Sequence, residues 1–346
     1  MGLYYNTELS PFLNKYVMIQ ETLYGDCELC SFDDFDDIEF LARQISVYLK
    51  IRPHGLDFIT NLCKHLISIN QNIKVLLIKE SLVRCPYLTF ELFNKGLFTI
   101  QEVLSHIFFR AKKYAFLYFN DYITNERIKN IVGRSSHIYK KTKNRENPLD
   151  STFFTSNPAI KYEYFKYGCP KNSIEYCLKY DDDHELSSII TRPNYQENTR
   201  VLWTVFEWSK IPSDLSILSI AAFFSSIKCF RYLMLNGKEI TLSVGEMALF
   251  GGNMDIIHYC IEKIPIHSYD VNGAFLYCHE SIISFLFENN ELVFEMKKPY
   301  HIKSFVFMIE KGFSVNTNLN DCLEFFILVI NSSRHSSCIL CKKRVL

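Results

Sequence analysis

Three kinds of stretch in this 346-residue chain gather side chains able to do chemistry. Cys27-Glu-Leu-Cys30 and Cys338-Ile-Leu-Cys341 are CxxC pairs, the spacing that supplies half of a tetrahedral zinc site or a thiol-disulfide couple. Neither has a histidine at finger spacing beside it, so a thiol or metal enzyme would need the two pairs, at opposite ends of the chain, to meet in space. Asp181, Asp182 and Asp183 could hold a cation or share a proton, but no partner residue accompanies them, and carboxylates also suit the start of a helix. The third stretch is basic: Arg127, Lys129, Arg134, Lys140, Lys141, Lys143 and Arg145 stand against almost no acid, a pattern that can contact phosphates or simply form a solvated face.

Other reactive types are isolated. His54, His65 and His106 sit singly in or beside apolar segments, and Trp203 and Trp208 belong to an aromatic stripe suited to burial between helices. Phosphate loops, dinucleotide fingerprints, zinc-hydrolase motifs and nucleophile elbows are absent from the sequence. The reading is a chain that is not an enzyme and takes no cofactor.

The elements that must carry these residues follow from composition and period. Apolar residues make up 48% of the chain and charged residues 22%, which suits a folded protein. Lys plus Arg and Asp plus Glu both number 38, so no global charge draws the molecule to nucleic acid or an anionic membrane. Twelve cysteines scattered through a chain with no secretory signal pattern read as reduced, mostly buried thiols in an intracellular, cytoplasmic protein. No apolar run is long enough to span a membrane. Only 12 Gly and 10 Pro argue against an all-β fold with its frequent tight turns.

Apolar residues recur at three and four from Ile38 to Ile51 and again from Leu56 to Leu66, which predicts two helices paired antiparallel across Pro53 and Gly55. Further helices are expected over Ile73–Val83, Tyr87–Asn94 and Ile100–Phe119. Asn147-Pro148 and Asn157-Pro158 mark a break near residue 150.

The second half carries an internal repeat. Ala221, Ala248 and Ala274 fall 27 and 26 positions apart, each followed by a polar or Gly-containing break and a longer apolar segment. Asn172–Ile190 reads as another helix pair, with Asp181 to Asp183 at its break. Gly96, Gly168, Gly237 and Gly312 each follow an apolar turn, where a helix takes a left-handed residue at its C-terminal end, and Gly251-Gly252 is expected to serve the same end.

Ser216-Ile-Leu-Ser-Ile-Ala-Ala222 resembles the TPLHxAA start of an ankyrin repeat, Ile227 to Gly237 is similar to its second helix, and Gly312-Phe-Ser-Val-Asn316 resembles the turn that follows. The phrases SIEYCLKYDDDHELSSII, LSIAAFFSSIKCFRYLMLNG and ALFGGNMDIIHYCIEK resemble more closely a large, divergent ankyrin-repeat family of unknown function expanded in parasitic protists. The likeness covers roughly residues 150–320 and implies a helical solenoid used for protein contacts, without activity or cofactor. The spacing of 27 and 26 is shorter than the usual repeat of about 33. TPLH is intact nowhere: Ser216 and Ser219 stand where its Thr and His would be.

The expected protein is therefore all-α, a helical solenoid of ankyrin-like helix-turn-helix repeats with an N-terminal helical region. Its divisions are an N-terminal segment 1–35, a helical region 36–125, a basic linker 126–150, repeats over 151–330 and a polar tail 331–346. The expected function is that of a protein-protein interaction scaffold, its unidentified protein partner bound near Lys238, Glu239, Glu246, His267 and Asp270, polar positions at turns or helix starts. The alternative is a nucleic-acid-associated protein using segment 127–145, although the neutral balance does not favour nucleic acid as a partner.

Overall fold

The computed structural model describes Leu23 and residues 38–51, 55–110, 115–122, 158–195 and 215–265, with Val201, Glu207, Ile211, Tyr269, Ala274 and residues 279–288. Every regular element among these residues is helical. None of the helices is long and apolar enough to cross a membrane. The basic segment 127–145, both CxxC pairs, His54, Trp203, Trp208 and everything after residue 288 lie outside the described residues.

Seven helices build the first core: α1 (Ile38–Ile51), α2 (Leu56–Ile69), α3 (Asn72–Arg84), α4 (Pro86–Asn94), α5 (Ile100–Arg110), α6 (Ala115–Phe119) and α7 (Pro158–Tyr167). The stripe of α1 buries Leu41, Ile45 and Leu49 completely or nearly so, as its period requires. Local chemistry sets the helix ends. Pro86 opens α4, where a missing N–H costs nothing. Thr99 and Glu102 form a reciprocal cap on α5: the Thr99 N–H donates to the Glu102 carboxylate at 2.7 Å, and the Glu102 N–H donates to the Thr99 hydroxyl at 3.3 Å. Gly96 closes α4 with φ of +74°.

Helix α1 packs most extensively on α3 and also touches α2, the neighbour expected to pair with it. Of the expected segment over Ile100–Phe119, Ile100–Arg110 and Ala115–Phe119 are helical as α5 and α6, and residues 111–114 lie outside the described residues. Helix α7, which follows the break expected near 150, packs Tyr164 and Phe165 into the first core, with Phe165 edge-on to Phe90 at 5.2 Å.

The second core gathers α8 (Ile174–Tyr180), α9 (Asp183–Ile190), α10 (Ile217–Phe223), α11 (Ile227–Leu235), α12 (Leu242–Gly251), α13 (Met254–Ile261) and α14 (Glu280–Glu288). The chain pairs α8 with α9, α10 with α11 and α12 with α13. First helices α8, α10 and α12 pack on one another in order, and second helices α9, α11 and α13 do the same. The result is two rows of helices with Ala221, Phe230, Leu233 and Ala248 wholly or almost wholly buried.

The turns between partners repeat one device. Asp181, Ser225 and Gly252 occupy the left-handed region with φ of 58°, 61° and 90°. The N–H groups of Asp182 and Ser226 return to Cys177 O and Ala221 O, five residues back, at 3.0 and 2.9 Å, and His279 N–H does the same to Ala274 O at 3.1 Å. Side chains of Asp182 and Asn253 then accept the N–H of Glu185 and Ile256, capping α9 and α13. The spacing of Ala221, Ala248 and Ala274 is the spacing of these turns.

Candidate functional site

The polar groups at the turns between paired helices bond to neighbouring pairs. Asp181 Oδ1 accepts the N–H groups of Lys228 at 2.9 Å and Cys229 at 3.0 Å, so a carboxylate of one pair caps α11 of the next. The Ser226 hydroxyl donates back to Leu178 O, and the Ser225 hydroxyl donates forward to Gly251 O at 2.6 Å. His279 Nε2 lies 2.8 Å from Phe250 O. A carbonyl only accepts, so Nε2 carries the proton in this contact. Each turn is thus tied to another pair by at least one side-chain bond.

Gly251 serves this packing differently from the expectation. It remains within α12, and the left-handed residue is Gly252 alone. A Cβ on Gly251 would fall 2.0 Å from Ala222 O, so glycine is needed for the close approach of α10 and α12.

Three of the five expected partner-binding residues are described. Lys238 and Glu239 lie in the loop between α11 and α12, Lys238 half-buried and Glu239 exposed, with the Lys238 N–H closing α11 on Leu233 O at 3.1 Å. Glu246 is half-buried on α12. His267 and Asp270 lie outside the described residues. Two apolar side chains flank the loop: Leu235 is 87% exposed and Leu242 is 43% exposed. Neither stood out in the sequence, because Leu235 shares the apolar run of α11 with Leu233, which is fully buried.

The aspartate triplet is absorbed by helix chemistry. Asp181 caps α11, Asp182 caps α9, and Asp183 lies in the first turn of α9, where the helix dipole favours a negative charge. Among the described residues no group of His, Cys, Asp and Glu is arranged to hold a metal ion. Cys63, Cys85, Cys169, Cys177, Cys229 and Cys260 are buried free thiols. Burial pushes Cys169, Cys177 and Cys260 up to about 12, and Cys63 and Cys229 further still, away from the thiolate that nucleophilic or redox chemistry needs.

Sequence reasoning missed a buried ion pair. Lys179 Nζ lies 2.8 Å from Glu207 Oε2, with side-chain exposures of 0% and 2%. The ammonium also donates to Tyr167 O at 3.2 Å and stands 5.9 Å from the centre of the Phe224 ring. Tyr167 is edge-on to both Tyr176 and Tyr180, which stack on each other at 4.6 Å. Burial, reinforced by the Glu207 carboxylate, holds the Tyr180 phenol well above its ordinary value. Removing one member of such a pair orphans a buried charge, at a cost of about 3–5 kcal/mol.

No family model, curated protein or solved structure matches the chain.

Proposed function

We propose that the chain is a non-enzymatic, intracellular protein-binding scaffold whose second core is a short-repeat, ankyrin-like solenoid. The observation that carries this reading is the shared register of the turns: left-handed residues at Asp181, Ser225 and Gly252, each followed by the start of a second helix, with side-chain bonds between pairs. Units that bury their faces only against copies of themselves form an extended array, and such arrays present loops and first helices to partners. Among the described residues the polar groups at the turns serve stacking and the thiols of Cys63, Cys169, Cys177, Cys229 and Cys260 are held protonated by burial, which directs this reading to the surface.

The binding surface in this reading is the α11–α12 loop with Glu246, and Leu235 and Leu242 supply apolar contact beside the charges of Lys238 and Glu239. His267 and Asp270 extend it as sequence-based members. The partner is a protein with an apolar anchor set among charged groups. Affinity capture with the full chain tests this. Charge reversal at Lys238, Glu239, Glu246, His267 and Asp270 is expected to abolish capture of at least one partner, and retention of every partner removes this surface from the account.

A further inference from the structure

We infer that the Lys179–Glu207 ion pair is a conformational lock that fixes the orientation of the helix-pair array relative to the N-terminal core. The joint between the two lies where α7 gives way to α8. Helix α7 belongs to the first core through Tyr164 and Phe165, whereas Cys177 and Leu178 of α8 belong to the second. Among the described elements, the more extensive helix contacts fall within one group or the other.

Three separate stretches converge on one ammonium. Lys179 comes from α8, the Tyr167 carbonyl from the last residue of α7, and Glu207 from the chain between α9 and α10. Glu207 arrives through additional sequence: the turn-equivalent residues Cys177 and Ala221 are 44 positions apart, against 27 for Ala221 and Ala248. The extra residues between the first two pairs therefore include the carboxylate that reaches the joint.

Gly168 is the pivot. It has φ of +80°, and a Cβ there would lie 2.8 Å from Glu207 Oε2 and 3.3 Å from Glu207 Cα. The left-handed backbone and the close approach both exclude a side chain at the point where α7 gives way to α8. Beside it the half-buried Tyr167, Tyr176 and Tyr180 rings pack on one another. An apolar pair of similar volume would fill the same space but could not donate to the Tyr167 carbonyl, the bond that ties α7 to α8 here. The ion pair adds direction, since it is satisfied only when Tyr167 O, Lys179 and Glu207 hold one mutual arrangement.

The test uses the full chain, calorimetry and amide hydrogen exchange. The unmodified protein is expected to unfold in one transition. Glu207→Gln, and the double variant Lys179→Met with Glu207→Leu that removes both charges and orphans neither, are expected to split it into two. Exchange in α7 and α8 should rise at least tenfold in both variants while α3 and α12 keep their protection. Four results overturn the proposal: two transitions already in the unmodified chain, a single transition with α7 and α8 protected as before in the double variant, acceleration spread evenly through α3 and α12, or failure of both variants to fold. The last would make the pair a requirement of one core rather than a lock between two.

Discussion

The two cores satisfy their buried polar groups in different ways. In the first, the hydroxyls turn inward on local partners: Ser46 donates to Ala42 O at 3.0 Å, Thr60 to Leu56 O at 2.7 Å, and Ser81 meets Thr89 eight residues on. Its long-range cohesion comes from rings, with Phe90 against Tyr118, Phe119 and Phe165. In the second, the hydrogen bonds themselves are long-range: Ser226 reaches Leu178 across 48 positions, Asp181 reaches Cys229 across 48, and Ser225 reaches Gly251 across 26. One region is an aromatic-filled bundle whose buried hydroxyls bond within their own helix or to the helix next in sequence. The other is an array whose units hydrogen-bond to one another through their turns.

This contrast can be broken at its strongest point by emptying the bundle. Phe90→Ala should cost about 3–5 kcal/mol, read by urea denaturation, because four ring contacts are lost from a site only 6% exposed. Hydrogen exchange should place the damage in α3–α6 and spare α12 and α13. Overpacking the array comes next. Gly251→Ala should cost about 1–3 kcal/mol, since the new methyl meets the Ala222 carbonyl, and the loss should spread to α10 as well as α12.

Smaller effects sharpen the same distinction. Asp181→Ala should cost about 1–2 kcal/mol by removing the cap on α11 and placing alanine in a left-handed backbone. Asp181→Asn, which keeps an acceptor and tolerates that backbone, should recover most of this. Leu235→Ala should change stability by less than about 0.5 kcal/mol because the side chain touches little in the free protein, yet it should weaken partner capture.

Much of this contrast is legible in the sequence, and the reason lies in locality. The stripe Leu41, Ile45, Leu49 fixes α1 because helical period is a property of adjacent turns. Gly96, Gly168 and Gly237 each follow an apolar turn in the sequence, and all three have positive φ at helix ends. The aspartate triplet reads as the break of a helix pair, and it stands where α8 ends and α9 begins. Alanine spacing located the turns of the array because small residues are required where α10 and α12 approach.

What escaped depends on distance along the chain. Lys179 looks like an ordinary polar position on a short helix, and nothing within its own turn announces Glu207, 28 residues away. The preference of α1 for α3 over α2 is decided by the relative extent of two apolar contacts, which the stripes alone do not rank. Leu235 and Leu233 are the same residue type two positions apart, and only the stacking of neighbours makes one 87% exposed and the other fully buried. The candidate binding loop was named from its charges at Lys238 and Glu239, while its apolar members emerged from the fold.

The claim that the array is held through its turns is tested most directly by amide hydrogen exchange on Asp181→Ala, set beside Thr99→Ala, which removes a comparable cap within the first core. Loss of the Asp181 carboxylate should accelerate exchange in α11 and onward into α13, whereas loss of the Thr99 hydroxyl should stay within α5. An Asp181→Ala effect confined to α8 and α9, with α11 as protected as before, would contradict the account.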